Sequence, residues 1–181
     1  MKSELKTTPY NLIPDLETSE KDYKYLLQAA KTAQTSTDRS TKNGSVLVGC
    51  NEEYVIESCN CIPTQYGIRS TEDRLERPLK YKFTRHAESG AILEAARHGF
   101  SCENATLYVL WYACAECAMS LACSGVKRVV GCAGMMDKDH NNWSESIELG
   151  FTILQEANIQ CDVLEKPLNT TTLMSGKIIQ I

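Results

Sequence analysis

The chain has 181 residues, 43% of them hydrophobic, and 23 acidic side chains against 19 Lys and Arg give a formal net charge of −4. That length suits one domain with a real core, and the composition excludes wholesale disorder. No dense Lys/Arg run offers a phosphate-backbone footprint and no apolar run approaches the roughly 20 residues that cross a bilayer, so neither a nucleic-acid nor a membrane partner is expected.

Residues 1–17 carry two prolines and no clear period, and read as an irregular N-terminal arm without the apolar segment of a signal peptide. A cytoplasmic location is expected. Nine cysteines are an odd number in a chain that is not small, so they read as packed thiols, metal ligands or catalytic groups. Ser19 caps a helix running to Gln34, with Tyr23, Leu26, Leu27, Ala30 and Ala33 on one face. "TSTDRSTKNG" is a polar loop. "SVLVGC" and "YVIESC" read as a hairpin. From Asn60 to Thr84 the chain is polar and irregular, a loop long enough to be functional. "HAESGAILEAARHG" is a helix that stops at Gly99. "ATLYVLWY" is a strand buried on both faces, "AECAMSLACSG" a helix ending at Gly125, and "KRVVGCA" a strand. A helix with Ile147, Phe151 and Leu154 in register follows, then the strand "IQCDVLE". This order predicts an α/β fold of three layers, α/β/α, with a mixed sheet of about five strands. The expected boundaries are an arm 1–17, a domain 18–166 and a tail 167–181 that has no assigned structure.

His86 and Glu88 stand two residues apart at one helix start. Cys114 and Cys117 stand three apart at another, with a strand between the two pairs. Zinc favours nitrogen and thiolate ligands, and a strand-to-helix turn lets both cysteines reach one metal. The helix N-terminus favours thiolate over thiol. One His and two Cys leave a fourth position for water, as catalytic Zn2+ requires, and Glu88 can then move that water's proton. Hydrolytic attack on an electrophilic carbon, with ammonia as leaving group, is the chemistry this set suggests. Other readings stay open: a structural zinc completed by His98 or His140, a redox pair, or two cysteines packed in a core.

H-x-E followed by C-x-x-C resembles the signature of the zinc nucleoside and nucleotide deaminases. The likeness is wider than the motif and covers roughly residues 20–165. "STDRSTKNGSVLV" and "SCNCIP" are similar to segments of the deoxycytidylate (dCMP) deaminase branch, and so are "EDRLERPLKYKFTRHAESGAILEAARHG", "ATLYVLWYACAECAMSLACSGVKRVVG" and "WSESIELGFTILQEANI". One departure is Ala113, where the motif usually has proline before its first Cys. The resemblance implies a cytidine-deaminase-like fold in which His86, Cys114 and Cys117 hold zinc and Glu88 shuttles the proton. It implies that Asn60 contacts the sugar or base edge. The backbone of Ala87 and the backbone near Trp111 and Tyr112 would hold the pyrimidine. The long insert before His86 points to a nucleotide rather than a free nucleoside. Lys42 leads the candidates for its phosphate, with Asn43, Arg69, Arg74, Arg77, Lys80, Lys82 and Arg85 behind it.

The expected reaction is dCMP to dUMP plus ammonia, or the same step on a C5-substituted dCMP such as 5-methyl-dCMP. The alternatives are a deaminase of another nucleoside, base or nucleotide, and a catalytically silent nucleotide-binding protein of the same fold. A small-molecule nucleotide is the expected partner. Alanine-rich helix faces suggest a homo-oligomer.

Overall fold

The structure is a computed structural model, and it describes residues 9–136 and 144–181. A mixed sheet of six strands forms its centre, in the order β1-β6-β5-β4-β2-β3. These strands are β1 (Asn11–Ile13), β2 (Gly44–Val48), β3 (Val55–Cys59), β4 (Thr106–Val109), β5 (Arg128–Cys132) and β6 (Gln160–Leu164). β2 is antiparallel to β3 and β4, whereas β4, β5, β6 and β1 run parallel.

The helices are α1 (Glu20–Ala33), α2 (Glu72–Leu75), α3 (Lys80–Phe83), α4 (Ala87–His98), α5 (Ala115–Ser124), α6 (Ala133–Met136) and α7 (Ser144–Glu156). Alternation along the strands supplies two cores. Leu47, Leu107, Val109, Val129 and Val163 pack under α4, α5 and α7. Val46, Val48, Tyr108, Val130 and Leu164 face the other way, onto α1, α6 and residues beyond 167.

The expected caps form. The Ser19 hydroxyl accepts from the Asp22 amide at 3.0 Å, and Gly99 and Gly125 end α4 and α5 in the left-handed region at φ 73° and 91°. Ile147, Phe151 and Leu154 are buried as expected.

Several expectations are corrected. The sheet has a sixth strand, because Asn11–Ile13 of the arm adds β1 along β6. The buried residues of α1 are Asp22, Tyr25, Leu26, Ala29, Ala30, Thr32 and Ala33, with Tyr23 and Leu27 only half-buried. The shift follows from Asp22, which is drawn inward by Tyr108 and Arg128. The strand expected over 105–112 ends at Val109, and Leu110–Tyr112 turns away toward the site. The stretch 60–84 contains a 3-10 turn and the one-turn helices α2 and α3. The tail is ordered as a hairpin, β7 (Thr171–Met174) with β8 (Lys177–Gln180). It seals against the loop before β2, where the Lys42 amide donates to Leu173 O at 2.8 Å and the Gly176 amide to Ser40 O at 2.7 Å.

Candidate active site

His86 is the N-cap of α4 and Cys114 the N-cap of α5. The two helix starts meet at the C-terminal side of β4, where parallel strands leave a crevice. Ligand atoms of His86, Cys114 and Cys117 all lie within 4.8 Å of one another, and among the described residues they are the group placed to hold a metal ion. His86 Nδ1 is 3.5 Å from Cys114 Sγ and 3.4 Å from Cys117 Sγ. His98 lies at the far end of α4, beside the Phe100 ring. His140 is outside the described residues.

The electrostatics of this triad are those of a cation site. The hydrogen bond to Cys114 raises His86 to about 9, against the pull of burial. The hydrogen bond from Cys117 draws the Cys114 thiol down to about 4, while that same contact and burial push Cys117 up. One nitrogen and two sulfur donors converge on one point, a set that suits a divalent ion. The residues present fit zinc.

Glu88, in the first turn of α4, is 2% exposed. Among the described residues its Oε2 has no hydrogen-bond partner. Burial raises its carboxyl to about 7, with the nearby His86 opposing. A buried carboxyl with an unsatisfied oxygen costs stability, and such costs concentrate where chemistry is done.

His86, Glu88 and Cys114 line a cavity of about 210 Å³ with Asn60, Ala87 and Trp111. Asn60 is buried and pins the loop between α1 and β2 at three points. Its Oδ1 accepts from the Asn43 amide and the Ser36 hydroxyl, both at 2.8 Å, and its Nδ2 donates to Thr41 O at 2.7 Å. That leaves one of its two amide hydrogens for the cavity. Asn43 in turn grips the Trp111 backbone, accepting from its N–H at 3.1 Å and donating to its carbonyl at 3.3 Å. The Ala87 carbonyl accepts from the Ser45 hydroxyl at 2.9 Å. Tyr112 lines the cavity, but its hydroxyl turns into the core, donating within reach of Val129 O and Asp162 O.

Lys42 does not line this cavity. Its Nζ donates to Gln34 O at 2.9 Å, on the exposed side of the loop. Arg77 and Lys80 are the insert cations that do reach the cavity, whereas Arg69, Arg74, Lys82 and Arg85 are not part of its wall. Lys80 is held by both Asp38 oxygens at 2.9 Å and by the Ser40 hydroxyl. Burial would raise Asp38, but hydrogen bonds from Lys80 and from the Ser40 and Thr41 amides hold it below its ordinary value. Asp38, Ile147 and Ser175 are wall residues that sequence reasoning missed. The signal for Asp38 was its Asp-x-Ser-Thr setting, which invites an Asx turn. Ser175 had no local signal.

Residues 19–133 match the model of the cytidine and deoxycytidylate deaminase zinc-binding region. The chain belongs to this family. All four motif residues fall inside the match, and zinc is the family's metal. The chain is 42% identical over 85 residues to the deoxycytidylate deaminase of Enterobacteria phage T4, which covers 46% of the chain and 40% of that protein. It is 28% identical over 137 residues to an uncharacterized deaminase of Aliivibrio fischeri, which covers 76% of the chain and 88% of the relative. The match thus spans about two fifths of the phage T4 enzyme's length. The dCMP deaminase of cyanophage S-TIM5 shares the fold, with a TM-score of 0.61 at 20% identity over 81% of this chain and 98% of that one. No helix among the described residues is long and apolar enough to cross a membrane.

Proposed function

We propose that this family member hydrolyses the exocyclic amine of a cytosine deoxynucleotide, converting dCMP to dUMP and ammonia. The observation that carries the reading is Glu88, a buried carboxyl with an unpartnered oxygen beside a His/Cys/Cys triad at one cavity. His86, Cys114 and Cys117 would hold the zinc. When bound, zinc supplies a Lewis acid that makes a water molecule nucleophilic near neutral pH. Glu88 takes one proton of the attacking water and delivers it to N3, then takes the second from the C4 hydroxyl so formed and delivers it to the departing amine. A carboxyl lifted toward neutrality both accepts and donates readily. Water adds at C4, ammonia leaves, and the 4-keto base remains.

Asn60 and the Ala87 backbone orient sugar and base, and Trp111 walls the ring. Arg77 and Lys80 meet the 5′-phosphate, Lys80 being pre-oriented by Asp38. The phage relatives named for this substrate support the reading, and so does the fold shared with the cyanophage S-TIM5 enzyme in complex with dCMP and dUMP. Self-association belongs to the same reading: Leu93, Met119 and Leu149 stand exposed on α4, α5 and α7. Sedimentation would read it.

The test is zinc-loaded protein against dCMP, 5-methyl-dCMP, CMP and deoxycytidine, with ammonia release and absorbance followed. Turnover of dCMP is expected. Glu88→Gln should keep zinc and lose about 10²–10⁴-fold in rate. Turnover of deoxycytidine alone would remove the phosphate assignment, and silence on every substrate would overturn the reading.

A further inference from the structure

We propose that Cys59 and Cys61 are an oxidisable dithiol, a modification site that hydrogen peroxide closes to an intramolecular disulfide. The pair lies outside the zinc triad. Cys59 is the last residue of β3, and Cys61 follows two positions on, which returns its side chain to the same side of the strand. Both line a surface cavity of about 510 Å³, together with Thr35 and Arg85. Cys102, Cys132 and Cys161 are buried, whereas Cys59 and Cys61 are only half-buried, so a small oxidant reaches them from solvent.

The surroundings favour a thiolate. The Thr35 hydroxyl donates to Cys59 Sγ at 3.4 Å, and an Arg85 guanidinium nitrogen lies 3.9 Å from Cys61 Sγ. The hydrogen bond from Cys61 leads these effects and, despite burial, draws Cys59 down to about 6. Cys59 is therefore the attacking sulfur and Cys61 the resolving one. The Cys59 thiolate attacks one peroxide oxygen, the O–O bond breaks, and hydroxide leaves and takes up a proton as water. Cys61 then gives up its proton, its sulfur displaces hydroxide from the sulfenic acid on Cys59, and a second water departs. Two thiols and one peroxide become one disulfide and two waters.

The placement couples this bridge to the active site. Asn60, which fastens Asn43, Ser36 and Thr41, lies between the two cysteines. Cys61 also pairs with Arg85 through two backbone hydrogen bonds of 3.0 and 2.9 Å, and Arg85 immediately precedes His86. Closing the bridge therefore pulls on both. This consequence rests on the deaminase reading; the closure itself does not.

Zinc-loaded protein would be treated with dilute peroxide, alkylated and mapped by mass spectrometry. The expected product is a 59–61 bridge, lacking two hydrogens and restored by dithiothreitol. Cys61→Ser should stop at a sulfenic acid on Cys59 that dimedone traps, and Cys50→Ser should behave as wild type. Full alkylation of both cysteines while others oxidise would overturn the proposal, and needs no variant to be read. Loss of turnover on oxidation, absent from the Cys59→Ser/Cys61→Ser protein, is expected in parallel. A bridge that forms without changing turnover would overturn the coupling to Asn60. A protein silent on every nucleotide would still close or fail to close the bridge, so failure of the deaminase reading is told apart.

Discussion

Asn60 does more with one side chain than its place in a turn suggests. Its amide satisfies the buried Asn43 N–H and the Thr41 carbonyl, so truncation strands both. Asn60→Ala should cost about 1–3 kcal/mol, seen as a lower urea midpoint, and should raise KM as well, because the Trp111 wall hangs from Asn43. Asn60→Asp keeps the acceptor and loses the donor, so it should recover part of the stability but not the KM. The motif residues were legible because His86-x-Glu88 and Cys114-x-x-Cys117 are local spacings, and a helix start gives each pair one direction to point. Lys80 was not singled out from its neighbours. Nothing in its sequence surroundings announces Asp38, 42 positions earlier, as its partner.

Between elements, two contacts decide where the site sits. α7 crosses the cysteine turn at Gly150, where an added methyl would collide with the Ala113 carbonyl. Gly150→Ala must push the turn that carries Cys114, an overpacking cost of about 1–3 kcal/mol. A competition assay against a chromogenic chelator should show weaker zinc retention. The second contact is Arg128 in β5. It binds Asp22 of α1 through two nitrogens at 2.8 and 2.9 Å and Asp162 of β6 at 2.6 Å. Burial would raise Asp22, but hydrogen bonds from Arg128 and Tyr108 hold it below 3.8. A carboxyl depressed in the folded state adds stability above its unfolded value and gives it up as pH falls through the folded one. Urea midpoints should therefore drop as pH is lowered below about 4, and Asp22→Asn should flatten that drop. The same network explains why the α1 face was misread: a helical period marks apolar residues, whereas Asp22 is buried by partners 86 and 106 positions away. The alternating strands and the glycine stops were readable because their causes are local. β1 and the β7–β8 hairpin were not, since three or four residues carry too little period to stand out.

For the whole molecule, a metal held by His86, Cys114 and Cys117 would tie the start of α4 to the start of α5, and so the two halves of one core. Stripping zinc with a chelator should make Cys114 and Cys117, 6% and 3% exposed, newly reactive to a thiol reagent. A loss of about 2 kcal/mol would lower Tm by roughly 4–8 °C in a domain of this size. Unchanged thiol counts after chelation would detach these cysteines from the metal. The sheet edge carries a different consequence, one of timing. Asn11 pairs with Asp162, and the Asn11 side-chain amide donates to the Asp162 carboxylate across 151 positions. Three strand residues repay little of the closure entropy of so long a loop, so β1 should dock onto a sheet that has already assembled. Substitutions at Asn11 should leave the refolding rate as it is and quicken unfolding.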